Sequence, residues 1–155
     1  IDLAGTIQEI ARVLKQGGRA VFIVGHESKV LGAPFYNANI VESIALQSGL
    51  FDIVLRQKRV FMNRFGDAIR ADIFNLRSKS YSSDDNLAAA VGRNVALEAL
   101  NSASHTVPEK NRELLSQAVS RTNTINGTPI FNSCRYSDYH TRASVMMVKE
   151  EGKPL

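Results

Sequence analysis

The 155-residue chain holds one cysteine, Cys134, no tryptophan and four prolines, none adjacent to another. One thiol cannot close an internal disulfide, and it excludes a zinc site built on cysteines. Such sparing use of cysteine leans towards a reducing compartment, so a cytoplasmic protein is expected. No apolar stretch approaches the roughly 20 residues that a helix needs to cross a bilayer, so no membrane partner is expected. The N-terminal IDLAGTIQEIARVL has no basic leader and no cleavage signal, which argues against a secretion peptide. It begins without methionine, inside a helical pattern, and reads as a piece of a longer protein.

What is present belongs to an ordinary water-soluble fold. Apolar residues make up 44% and charged residues 22%. A chain of this length buries roughly two thirds of its unfolded surface, enough for one domain or a domain with an appendage. The formal net charge of +4 favours acidic partners, with nucleic acid the first candidate.

Periodicity predicts a helix over residues 2–16, with Leu3, Ile7, Ile10, Ala11 and Leu14 on one face. Gly17 or Gly18 ends it in a left-handed turn. Arg19 to Val24 follows as a strand whose five consecutive apolar or small residues predict cover on both faces, as in the middle of a parallel sheet. Residues 25–37 read as loop and 38–48 as a second helix stopped by Gly49. Residues 51–61 predict a strand with Phe51, Ile53 and Leu55 inward, and 69–77 a second with Ile69, Ala71, Ile73 and sometimes Phe74 inward. A turn holding Gly66 pairs them as a hairpin. SKSYSSDDN is a serine-rich joint, with Asp84 and Asp85 suited to capping the helix that follows over 85–101. Pro108 opens a further helix containing Leu114, Leu115, Ala118 and Val119. NTINGTPIFN is turn-rich, and RASVMMVKEE suits a short strand.

Taken in order, EIARVLKQGGRAVFIVG, IVESIALQSGLFDIVLRQKRVF and VFMNRFGDAIRADIFNLR resemble the C-terminal half of the catalytic domain of S-adenosylmethionine-dependent methyltransferases, over residues 1–78. The first stretch is similar to the helix and strand that follow the family's catalytic motif, with RVLKQGG the motif-level part of the likeness. The second resembles the next helix and the terminal strand pair. The third is similar to the end of DNA amino-methyltransferases. The resemblance implies an α/β fold: a partial Rossmann-like, mostly parallel sheet ending in an antiparallel strand pair. A helical segment with a short β element follows over 79–155, either separate or docking a partner.

The implied chemistry moves a methyl group to an exocyclic nitrogen of a DNA base rotated out of its stack. The chain carries neither Gly-x-Gly for the cofactor loop nor the polar-Pro-Pro-aromatic segment of the catalytic loop; TPIF, residues 128–131, has one proline only. The likeness therefore implies a portion inactive alone. S-adenosylmethionine would be held by the full-length protein and not by this chain, and DNA and the missing remainder of the catalytic domain, or a partner subunit, would be the partners.

His26, Glu27, Ser28 and Lys29 follow the apolar strand, and ligands of open α/β sheets gather outside such strand ends. A solvated loop is the competing reading and has the base rate on its side. Arg59 and Arg64 belong to a basic set with Arg56, Lys58, Arg70, Arg77 and Lys79 that suits a phosphate backbone. Phe61 and Phe65 suit either base stacking or the core, and the core is the expected place. A metal site on His26, His105 and His140 needs distant loops to converge. Cys134 with His140 has nothing beside it to activate a thiol. Two other function classes stand beside the enzyme: a non-catalytic nucleic-acid-binding module using the basic hairpin, and an interaction domain whose helices over 85–119 dock on a partner.

Overall fold

The structure, a computed structural model, describes residues 1–79, 84 and 86–126. It is a mixed α/β fold with four helices and an antiparallel three-stranded sheet. Helix α1 (Asp2–Val13) leads into β1 (Arg19–Gly25), then a miniature hairpin of β2 (Ser28–Val30) and β3 (Ala33–Phe35). Helix α2 (Asn37–Ser48), the long hairpin of β4 (Phe51–Met62) and β5 (Ala68–Ser78), and α3 (Leu87–Ala103) come next. A short 3-10 turn (Glu109–Asn111) opens α4 (Arg112–Thr122).

The glycine pair turns the chain into β1 but does not end α1, which stops at Val13 with Leu14 already extended. Gly17 has φ +77°, and a Cβ on Gly18 would come within 2.7 Å of the Lys15 carbonyl. Free of both conflicts, the turn exchanges hydrogen bonds with the end of β5: Gly17 N donates to Ser78 O and Ser78 N to Gly18 O, each at 2.8 Å.

Strand order in the sheet is β1-β5-β4, with β5 antiparallel to both neighbours. β1 and β4 therefore run the same way, with β5 reversed between them. The hairpin pair is as expected, but β1 is not the central strand of a parallel sheet. Among the described residues it is an edge strand, and helices cover only one of its faces. Ala20, Phe22 and Val24 pack on the core, while Val21 and Ile23 stay 62% and 63% exposed. A continuous apolar run signals two faces that avoid water, and the described helices shield only one of them.

Two other inward sets are shifted. A bulge between Ile53 and Leu55 moves Leu55 to the uncovered face. In β5 the buried side chains are Asp72, Phe74, Leu76 and Ser78, one residue out of step with Ile69 and Ile73, although Phe74 and Ala71 are buried as expected. Phe61 and Phe65 are not core residues: they are 41% and 74% exposed on the far half of the hairpin.

The core lies between the sheet and three helices. Phe51, Phe74 and Leu76 meet Ile7 and Ala11 of α1, Val41, Ile44 and Ala45 of α2, and Val91 and Val95 of α3. Buried Gln8 ties α1 to α3 by donating to the Asp84 carbonyl and accepting from the Ala88 N–H, one of the free donors of the helix start. The two helices meet at Gly92, where a Cβ would come within 2.7 Å of Ile1 Cα. Gly92→Ala is therefore expected to push them apart and cost about 1–3 kcal/mol despite alanine's better helix propensity, read as a lower urea midpoint.

Candidate functional site

Loop 25–37 was expected to be irregular, yet it places α2 against the end of β1. Asn37 Nδ2 donates to the Gly25 carbonyl at 3.1 Å and to Ser28 Oγ at 2.8 Å. Helix α2 then runs back along the sheet to Gly49, which ends it with φ +68°. Its N-terminal turn and the carboxyl end of β1 share one rim. On the helix side of the sheet, the strands outrun the helix layer at this rim and leave an open pocket of about 490 Å³, lined by His26, Tyr36, Asn39, Arg56 and Lys58.

Beneath it lies Asp72, a carboxylate with no exposure. Its Oδ2 meets His26 Nδ1 at 2.9 Å, and its Oδ1 accepts from Arg56 Nε at 3.0 Å. The other Arg56 nitrogens donate to Glu42 and to Asn39 Oδ1, both on α2, and the guanidinium lies 5.2 Å from the Phe74 ring centre. The His26 ring packs edge-on to Tyr36, with centres 5.9 Å apart. Backbone register holds the histidine as well: its N–H continues the β1-β5 ladder to the Arg70 carbonyl.

Burial opposes charge on Asp72 and is the largest single influence on it. The hydrogen bonds from His26 and Arg56, with their charges, together outweigh burial and hold the carboxyl below the usual aspartate range. Asp72 is thus an acceptor on both oxygens. Each Arg56 nitrogen donates to one partner, two carboxylates and an amide in all, so the side chain braces the site from within.

Of the residues expected to bind substrate, only His26 lines this pocket. Ser28 serves the loop by bonding Asn37, while Glu27 and Lys29 are solvated near the miniature hairpin. Arg59 and Arg64 stand on the long hairpin, where each stacks on a phenylalanine, Arg59 on Phe61 at 5.4 Å and Arg64 on Phe65 at 4.5 Å. The basic set is smaller than its sequence total. Arg56 is committed to the interior, and Arg77 and Lys79 pair with Asp52. Lys58, Arg59, Arg64 and Arg70 remain as the exposed cations of the hairpin. At its tip, Asn63 Oδ1 accepts from the Phe65 and Asp67 amides, a side-chain turn that presents Arg64 and Phe65 outward.

Asp72 and Glu42 escaped the sequence reading. Asp72 lay in a strand read with the opposite parity, and Glu42 on a helix without a motif. Asp84 does not cap α3: its Oδ1 accepts from Asn86 N in a turn just before the helix, whose N-cap position is Asn86; Asp85 lies outside the described residues. No group of metal-ligating side chains occurs among the described residues, where His105 is exposed. Cys134, His140 and the strand expected in RASVMMVKEE lie outside them. No helix among the described residues is long and apolar enough to cross a membrane. No protein-family model matches the chain, and neither a curated protein nor a solved structure matches it.

Proposed function

We propose that this chain is the closing, C-terminal part of the catalytic domain of an S-adenosylmethionine-dependent methyltransferase acting on DNA. The observation that carries this reading is the direction of the strands. β1 and β4 run the same way, α2 connects them, and their carboxyl ends open on one rim. Ligand sites of α/β sheets form at such rims.

The uncovered side of the sheet supports the same reading. Val21, Ile23 and Leu55 lie on one exposed face, and Asn75 Oδ1 on that face is buried with no partner among the described residues. Further strands and helices of a larger domain, pairing with the outer edge of β1, would cover this face. The residues here do not by themselves cradle the methyl donor. There is no Gly-x-Gly turn, and both carboxylates near the pocket are committed to Arg56. This part therefore contributes sheet, rim and DNA contacts, and the donor's site falls to the rest of the domain.

The exposed hairpin cations with their stacked phenylalanines favour a second reading in which the chain binds nucleic acid without catalysis. Titrating S-adenosylmethionine into the protein expressed over its entire reading frame separates the two. Saturable donor binding, with transfer of labelled methyl to DNA, is the expected result. DNA binding with no donor binding would leave the binding module instead.

A further inference from the structure

The apolar interior is divided in two. Ile40 and Val95 belong to the main core, whereas Phe35 packs on a smaller, separate cluster of Ala33, Ala103, Val107 and Leu115. Between the clusters, α2, β3, α3 and the turn at Thr106 leave a groove of about 220 Å³. Phe35, Ile40, Val95 and Ala99 are its apolar walls, and Glu98 is the only charged side chain that lines it. Glu98 is exposed to solvent. Its Oε1 accepts from Gln47 Nε2 at 3.0 Å, and Oε2 has no partner among the described residues. The chain carries a formal net charge of +4, yet this groove sets a single negative charge beside apolar walls. A benzene ring fills a cavity of roughly 150 Å³, so there is room for one ring and about two or three further heavy atoms.

We propose that this groove binds a small arylalkyl amine, with its ring against Phe35, Ile40, Val95 and Ala99 and its ammonium group on Glu98. The apolar walls favour burial of the ring, and the carboxylate selects a cation for the polar end. Charge also keeps this ligand apart from nucleic acid. Arg56 and Lys58 line the rim pocket and repel an amine, whereas Glu98 repels a phosphate. Tyr36 and Asn39 line both openings, so the amine site borders the rim pocket without sharing its charge. It stands whether or not the chain acts on DNA.

The test titrates 2-phenylethylamine, and its neutral counterpart 2-phenylethanol, into the protein expressed over its entire reading frame. Nitrogen-labelled protein at neutral pH and low salt, where screening is weak, allows binding to be followed by amide NMR shifts. The amine should saturate with a dissociation constant of about 1 mM or below and move the amides of Ile40, Val95 and Ala99. It should bind about three- to fivefold tighter than the alcohol, the modest gain of an exposed ion pair. Glu98→Gln should erase that preference. Glutamine keeps an oxygen for Gln47 at an exposed position, so the fold should be unaffected. No saturable binding of the amine overturns the proposal, as do shifts confined to residues outside the groove. Equal affinity for the two probes, or a preference that survives Glu98→Gln, overturns it as well.

Discussion

Asp72→Ala is expected to destabilise the fold by about 3–5 kcal/mol, the largest effect of any single polar substitution among the described residues. The carboxylate is fully buried beside Phe74, and its removal strips an acceptor from both His26 and Arg56. Arg56 retains Glu42 and Asn39, but its Nε is left facing the vacated space. Urea denaturation at neutral pH reads the cost directly, and a loss under about 1 kcal/mol would mean that the cluster is ornamental.

The same group predicts an acid limb. Its native pKa is depressed, so its stabilisation is fully present above the unfolded aspartate value, near pH 4, and drains away as pH falls through the lower native value. Asp72→Asn should therefore be less stable than the parent at neutral pH. The gap should narrow on acidification below about pH 4, because the parent loses what the variant never had.

The second large effect is on nucleic acid. Replacing Lys58, Arg59, Arg64 and Arg70 together with glutamine is expected to weaken DNA binding roughly a thousandfold at about 0.1 M salt. The slope of log affinity against log salt should fall by about 3 to 4, because each lost phosphate contact removes about 0.9. Fluorescence anisotropy across a salt series checks both numbers. All four side chains are exposed, so folding should be unaffected. An unchanged slope would show that the hairpin touches no phosphate.

The elements were largely written in local signals. Apolar periodicity marked α1 and α2, Gly49 marked the end of α2, and alternation with Gly66 marked the hairpin, while α1 stops at Val13, short of the glycine pair. What local signals could not carry was the side each residue faces. IRADIFNLR alternates equally well in either parity, and hydropathy places Ile73 inward and Asp72 outward. The structure reverses this because Asp72 finds His26, 46 residues away in sequence, and Arg56, 16 away. Burial of a charge depends on partners that no local window contains. The bulge after Ile53 is of the same kind: one extra residue turned Leu55 outward without a glycine or proline to announce it. Phe61 and Phe65 looked like core residues because composition cannot reveal that the hairpin outruns the helices.

His26 was legible as a rim residue, since it follows an apolar strand that ends at a glycine. Its partners were not. Nothing in the spacing of Glu42, Arg56 and Asp72 is a motif: the register of β5 against β1 and β4 sets Asp72 between His26 and Arg56, and Glu42 reaches Arg56 from α2.

Nitrogen-resolved NMR of the His26 imidazole reaches the heart of the account. At about pH 9, above the ordinary imidazole range, Nδ1 should resonate as a protonated, pyrrole-like nitrogen and Nε2 as a bare, pyridine-like one, with the Nδ1 proton shifted downfield by Asp72. A ring carrying its proton on Nε2, or exchanging freely between the two forms, would contradict a carboxylate that fixes the tautomer of this histidine.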